Sequence, residues 1–553
     1  MALKSCILRI LQKEKRGFIS MRGVGEHLRF VANPGRIGVL ACTPKLMGFA
    51  GGSIRRQRTG EDAYSPSLSA PINGSMNHRC ALSVFVIIAT VSMAVGGPRI
   101  DGSPERAKTD LNPGMKQIGT IAPRSADQIA GSNWTLGCET LDRDFADYQQ
   151  YKDYIVPLGI KTIRLQGGWA KTEKVKGSYD FAWLDTLIDD ARGRGLNILL
   201  ETDYGNPIYE GGGGFDLAGG FPTSEAGLIA WDRWVEAMAT RYKGKVRDWA
   251  MWNEPDINKK HTPEDIAAFN IRTAEIIKRV IPESRIAGLS LSSSSPKLFE
   301  SCLKALAAKG QVDLFHWFIY HGYEFNPDKS YKSVELLKST LAKYSKQAKM
   351  RQGENGCPSE KATRFALSNH LWTEYSQAKW DLRRMLGDLG HDVESAVFTI
   401  CDFNHAGREI NRKGLLHATA DKKVDKIKLA YYSVQNCVAL FDDTLERVKE
   451  HGVTVTYEKS TACFVYRNKA TQQNLIVLWD NSGTPDDLFV IHPAQVEVKG
   501  FSFKEPVWVD LVSGRIYEIP TDRMTKVGES TIFKDVPLYD APVLIAERAL
   551  VLK

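Results

Sequence analysis

Two glutamates stand out among the titratable residues, because each follows an apolar, strand-like run and precedes residues that turn the chain. The first lies in Ala250-Met251-Trp252-Asn253-Glu254-Pro255, the second in Met350-Arg351-Gln352-Gly353-Glu354-Asn355. A carboxyl group at a strand end, with the backbone turning away beneath it, can protonate a glycosidic oxygen. A second carboxylate across the same opening can attack an anomeric carbon. Asn253 places an amide beside the first carboxyl, where it can bond a sugar hydroxyl. An isolated Asn-Glu-Pro reads equally well as a glutamate capping the next helix. The second carboxylate decides between these readings.

Such residues need a frame that brings strand ends together. From Trp134 to about Asp443 short apolar runs alternate with amphipathic helical patterns, which predicts a parallel sheet with helical crossovers. The expected strands are 134–138, 162–166, 197–203, 246–253, 286–290, 314–320, 349–353 and 396–402. Helices are expected over 181–194, 224–242, 263–280, 334–344 and 372–389. Eight strands within this length imply a (β/α)8 TIM barrel over 131–445, with the two glutamates after the fourth and seventh strands. The Gly211–Gly214 run lacks the Lys-Ser/Thr of a phosphate loop and reads as a flexible loop over the barrel mouth. After Asp443 the runs shorten and turn residues multiply, which predicts a C-terminal antiparallel β-sandwich over 446–553. Its expected strands are 453–457, 462–466, 475–479, 507–510, 516–519, 530–533 and 543–546. A strand from 115–122 could join it, since residues 95–130 form the linker and lead-in segment.

Charge excludes one class of function. The formal net charge of +8 sits entirely in residues 1–75, with 12 Lys/Arg against 4 Asp/Glu, while the chain from residue 95 carries 60 basic and 61 acidic residues. The part expected to fold is nearly neutral and offers no footprint for nucleic acid. Residues 1–75 show no sustained period and read as disordered, or as upstream sequence outside the working protein. Residues 76–94 have the layout of a secretory signal: Met76-Asn77-His78-Arg79, an apolar stretch from Cys80 to Val91, then Ser92-Met93-Ala94. That layout predicts a secreted or periplasmic protein starting at Met76, cleaved near Val95, with no stable membrane insertion afterwards. The rival reading is an internal anchor with a cytoplasmic tail. Nine cysteines without a C-x-x-C pair argue against a zinc site or a disulfide framework, and no pairing follows from their spacing. No cofactor is implied, and no oligomeric state is specified.

The strand-end motifs resemble those of clan A glycoside hydrolases, and the combination of barrel and sandwich is similar to the family 39-like members. The resemblance covers roughly residues 130–550 and implies a retaining glycosidase acting on an oligo- or polysaccharide, with Glu254 as acid/base and Glu354 as nucleophile. Arg164 on the second strand and His321-Gly322-Tyr323 after the sixth match the positions the clan uses. Arg164 could hold the nucleophile ionised, Tyr323 could donate to it, and His321 could bond a sugar hydroxyl; each is also readable as structural. Trp169, Tyr204, Tyr209 and Trp317 could offer faces to a sugar ring, and Asn206 lies in the loop Thr202–Pro207 that would approach it. Asp203 and Asp256 are further candidates for hydroxyl recognition. Two other readings stand beside this one: a barrel that binds carbohydrate without cleaving it, and a metal-dependent lyase or isomerase. The second needs a His, Asp and Glu ligand cluster on strand ends, which the sequence does not display.

Overall fold

The computed structural model describes residues 97–552 apart from Ala406. The readings of residues 1–75 and 76–94 lie outside these residues.

A lead-in strand, β1 (Gln117–Thr120), precedes eight parallel strands. These are β2 (Trp134–Gly137), β3 (Thr162–Gln166), β4 (Asn197–Thr202), β5 (Asp248–Met251), β6 (Arg285–Leu291), β7 (Trp317–Tyr320), β8 (Lys349–Gln352) and β9 (Ser395–Val397). Each pairs with the next from β2 to β8, and β9 pairs back to β2. The ring closes between β8 and β9 through the bridges Arg351–Glu394 and Asn355–Val397. All eight expected strands are present, six of them one to four residues shorter and β6 two residues longer, so the fold is the anticipated (β/α)8 barrel.

The crossover helices start where side-chain caps satisfy their first N–H groups. Ser224 accepts from the Gly227 N–H ahead of Glu225–Tyr242. Thr262 and Asp265 form a capping box with Pro263 in the first turn of Pro263–Val280, and Thr373 and Ser376 do the same for Glu374–Gly390. Their buried faces, such as Trp231, Trp234, Val235 and Met238, join the main core outside the sheet. A separate apolar cluster of Leu199, Ala250, Ala287, Trp317 and Ile319 fills the barrel interior. Side chains alternate along a strand, so Glu201 on β4 and His321 just past β7 lie two residues above that layer and face the same way. Polar chemistry therefore sits directly on an apolar plug.

Two hairpins follow the barrel, β10 (Phe403–Asn404) with β11 (Ile410–Asn411) and β12 (Leu416–Ala418) with β13 (Val424–Ile427). The helix Leu429–Leu440 comes next. It is apolar nearly all round and almost wholly buried, with Asn436 and Ser433 donating to the carbonyls of Leu511 and Val512. The remaining strands are β14 (Leu445–Val448), β15 (Gly452–Thr456), β16 (Thr461–Asn468), β17 (Asn474–Asp480), β18 (His492–Lys499), β19 (Pro506–Asp510), β20 (Arg515–Glu518), β21 (Met524–Val527), β22 (Ser530–Leu538) and β23 (Val543–Glu547). They form two antiparallel sheets. One of seven strands runs β1-β20-β19-β23-β17-β16-β14, and one of four runs β15-β18-β22-β21. The Trp508 indole donates across them to the Pro537 carbonyl. β1 belongs to the larger sheet, so the lead-in strand is shared as expected, while β14, β18 and β21 are additional to the sequence reading. Glu518 lies opposite Val507 at the β19–β20 end of that sheet.

The Gly211–Gly214 run folds back on its own loop. Its backbone is bonded at three of the four glycines: Gly205 N–H to Gly214 O, Asn206 N–H to Gly212 O, Gly214 N–H to Gly219 O and Thr223 N–H to Gly211 O. A Cβ on Gly212 or Gly214 would come within 2.4 Å of backbone atoms. The glycines permit this close backbone packing.

Candidate active site

Glu254 follows β5 in a left-handed conformation (φ 49°), two residues after Trp252 at φ 52°. Both are uncommon for residues with a side chain, and such backbone strain gathers at functional sites. A register shift in β6 between Gly288 and Leu291 brings the Ser290 carbonyl within 3.0 Å of the Glu254 N–H. Pro255 then starts a short 3-10 turn that carries the chain away. Across the mouth, β8 ends at Gln352. The Gly353 N–H donates to Tyr320 O, and Glu354 projects beyond it.

One carboxylate oxygen of Glu254, one of Glu354 and a ring nitrogen of His321 all lie within 4.8 Å of one another. His321 Nδ1 is 2.7 Å from Glu254 Oε1 and 3.9 Å from Glu354 Oε2. Tyr323 donates to Glu354 Oε1 at 2.9 Å, and Arg164 Nη1 donates to Oε2 at 3.1 Å. Arg164 is itself buried and ties the mouth together. It donates to Glu139 at 2.8 Å, to Glu201 and Asn253 at 2.7 Å each, and to the Gly353 carbonyl at 3.2 Å.

The surroundings push the two carboxyl groups apart. Burial raises Glu254 above the ordinary carboxylate range, and the Glu354 charge adds to this against the opposing bond from His321. Burial also pushes Glu354 upward, but His321, Arg164 and the Tyr323 hydroxyl outweigh it and hold the group below its usual value. For His321, burial favours the neutral ring, yet the two carboxylates win and raise it. The result is a proton-holding pair, Glu254 with His321, beside an ionised Glu354.

Of the residues singled out by sequence, Asn253, Glu254, Tyr323, Glu354 and Tyr204 line one cavity of about 360 Å³. Arg164 and His321 lie beneath it. Tyr204 meets Asn253 there, accepting from its Nδ2 at 3.0 Å. Trp169 and Asn206 are elsewhere. Trp169 opens a short helix after Gly168 and packs among Trp231, Trp234 and Tyr209, donating its indole N–H to Glu173. Asn206 is fully buried, donating to the Glu173 carbonyl and accepting from the Ile208 N–H. Both are tied to Glu173, which ends the short helix after β3, and so brace that segment. Trp317 is in the barrel plug, Tyr209 bonds Glu173, and Asp256 is taken up by Ser292. Asp203 accepts from Gln166 and does not reach the cavity lining.

Sequence reasoning missed Glu139, which lines the cavity and is pushed up to about 7 by burial against the pull of Arg164. The signal was available, since Gly137-Cys138-Glu139 is also a strand end bearing a carboxylate. Glu201, mid-strand in Leu199-Leu200-Glu201-Thr202, was legible only as a polar interruption. His405, Asn411 and Lys413, on the chain after β9, carry no local signal at all.

Comparisons with known proteins bear on the fold. A beta-galactosidase family model matches residues 142–207, which include Arg164 and Tyr204 but neither glutamate. Beta-galactosidase BgaA of Clostridium cellulovorans is 39% identical over 57 residues. The match covers 10% of this chain and 9% of that protein's length. Among solved structures, a family 39 glycoside hydrolase from Bacteroides cellulosilyticus WH2 superposes with a TM-score of 0.55 at 16% identity, covering 78% of this chain and 84% of its own. A monomeric beta-xylosidase from Caulobacter crescentus CB15 gives 0.50 at 16% identity, over 77% and 97%. The family 39 enzyme of Xanthomonas axonopodis pv. citri gives 0.50 at 14%, over 77% and 95%. The chain therefore has the fold of the family 39 glycoside hydrolases, a clan A architecture.

Proposed function

We propose that this protein is a retaining glycoside hydrolase, with Glu354 as nucleophile and Glu254 as acid/base. The observation that carries the reading is the spacing of the two carboxylates. One oxygen of each lies within 4.8 Å of the other, which suits direct attack by one group, whereas an inverting pair stands about 6.5–9.5 Å apart to admit a water. In the first step Glu354 attacks the anomeric carbon, the bond to the leaving oxygen breaks, and the Glu254 proton passes to that oxygen. The product is a glycosyl ester on Glu354. In the second step water attacks the same carbon, Glu254 takes the water's proton, and Glu354 leaves as a carboxylate. Loss of the Glu354 charge in the ester removes one cause of the raised Glu254 pKa, which suits Glu254 to act as base. Asn253 keeps one amide hydrogen beyond its bond to Tyr204 for a sugar hydroxyl. NMR of freshly formed product from an aryl glycoside should show retained anomeric configuration. Net inversion would overturn the assignment.

The Glu254, His321 and Glu354 trio also meets the spacing of a cation site. His321 Nδ1 faces the Glu254 carboxyl at 2.7 Å, and its raised pKa favours a proton on the ring over a metal. Dialysis against a chelator should leave turnover unchanged under this reading.

The substrate class under the same reading is an oligo- or polysaccharide, and the protein is exported. Residues 76–94 supply the signal, and mass spectrometry of the secreted form should find a first residue near Val95. A mature N-terminus ahead of Met76 would contradict it.

A further inference from the structure

One wall of the cavity comes from the chain that follows the eighth barrel strand, where His405, Asn411 and Lys413 all face the space beside Tyr323 and Glu354. Each carries polar capacity that the fold leaves unused. His405 Nδ1 and Asn411 Oδ1 are buried without a hydrogen-bond partner. Lys413 is 2% exposed, yet its ammonium makes no hydrogen bond or ion pair among the described residues. It stands 5.6 Å from the centroid of the Tyr323 ring, whose hydroxyl donates to Glu354.

The other two buried lysines among the described residues show what the fold does elsewhere with such a group. Lys379 pairs with Asp540 at 2.7 Å and also donates to the Leu488 carbonyl. Lys428 pairs with Asp402 at 2.6 Å and donates to the Arg412 carbonyl. A buried ammonium without a counter-charge is strongly unfavourable. Burial lowers Lys413 only to about 8, so it remains a cation at neutral pH. Arg143, the other cation on the cavity, is already bonded to Asp142 and Gln166. Lys413 is thus a positive charge without an ion pair among the described residues; of the carboxyls on the same cavity, Glu139 and Glu254 are pushed up by burial, and the ionised Glu354 is already bonded by Arg164 and Tyr323.

We propose that Lys413, with His405 and Asn411, forms a wall that selects sugars bearing a negatively charged substituent, a carboxylate or a sulfate ester. This rests on the glycosidase reading for the sugar in the cavity. The substituent supplies the counter-charge that the fold withholds from Lys413. His405, kept neutral by burial with its pKa near 4, can donate one ring N–H, and the Asn411 amide completes the hydrogen bonding.

The test is calorimetric titration of the full chain with free monosaccharides in matched pairs: D-glucuronate against D-glucose, D-galacturonate against D-galactose, and the 6-sulfates of both hexoses. Free sugars are not substrates for hydrolysis, so the readout does not depend on turnover. At least one acidic sugar should bind tenfold or more tightly than its neutral partner, and the series that does so separates carboxylate from sulfate. Lys413→Gln should bring that ratio below twofold while leaving the neutral sugar's affinity unchanged, and Lys413→Arg should restore most of it. If Lys413→Gln lowers the melting temperature, His405→Ala makes the same comparison from the same wall, and a ratio it leaves unchanged counts against the proposal. No acidic sugar outbinding its neutral partner overturns it, as does an equal loss of both sugars in Lys413→Gln. An acidic preference without hydrolysis of any aryl glycoside would overturn the proposed activity and leave this inference standing.

Discussion

Glu254 and Glu354 are chemically identical side chains, and their partners alone separate them. Glu354 accepts from an arginine and a tyrosine, while Glu254 shares a proton with a buried histidine. The acidic limb of kcat/KM should therefore report protonation of Glu354, whose pKa is lowered, and the basic limb loss of the proton held by Glu254 with His321, whose pKa values are raised. The two limbs are macroscopic constants of the coupled cluster. Tyr323→Phe removes one donor that favours the Glu354 carboxylate, so the acidic limb should move to higher pH by about one to two units, in line with a hydrogen bond to a charged group of about 1.5–3 kcal/mol. A pH profile whose acidic limb stays in place would show that the hydroxyl does not act on Glu354. Glu254→Gln, assayed with an activated aryl glycoside that needs no protonation, should lose the basic limb and keep the acidic one. Survival of the basic limb would remove Glu254 from the role of proton donor.

At the scale of elements, the strand ends act as rigid mounts. Gly353 has no room for a side chain: a Cβ there would stand 2.3 Å from Ile319 Cγ2 and 3.3 Å from His321 Nε2. Gly353→Ala must therefore displace β8 from β7. Overpacking of this kind costs about 1–3 kcal/mol, and under the proposed mechanism a shift near 1 Å at Glu354 can cost about a hundredfold in rate. Steady-state kinetics beside a thermal melt should show kcat falling far more than the lost stability explains. Unchanged kcat would mean that the strand end does not set the Glu354 position. The barrel strands were legible in the sequence because each is a short apolar run between turn residues, and the paired glutamates because both end such runs. The helix Tyr148–Leu158 was not singled out, although Tyr148, Tyr151, Ile155 and Leu158 keep its helical period, because polar aromatics and Pro157 mask the apolar stripe. β18 hid in a similar way, since Pro493 opens a run whose buried Ala494, Val496 and Val498 alternate as a strand should. The wall of His405, Asn411 and Lys413 is brought to the mouth only by the hairpin that follows β9. Trp169 and Asn206 failed as sugar ligands because a residue's approach to the mouth depends on where the loop turns, which no local pattern encodes.

At the scale of the whole molecule, buried polar contacts lock the sandwich onto the barrel. Arg383, fully buried, pairs with Asp328 at 2.6 Å and donates to the Gly483 carbonyl, while the Trp479 indole donates to the same aspartate. Asn326 reaches the Asn481 carbonyl from the loop that carries Tyr323. The barrel mouth and the sandwich thus share one loop. Asp328→Ala leaves the Arg383 charge buried without its counter-ion, a change worth about 3–5 kcal/mol. Calorimetry should record a lower melting temperature, and a variant melting with the parent protein would show that the contact does not hold the two domains together.

The proposed mechanism requires a covalent bond between Glu354 and the sugar. A 2-deoxy-2-fluoro glycoside built on the sugar the enzyme turns over slows both steps and, with a good leaving group, lets the ester accumulate. Peptide mass spectrometry of the inactivated protein should find one fluoroglycosyl group, attached to Glu354 and absent from Glu354→Gln. A label on any other residue, or full turnover with no label at all, would contradict the account.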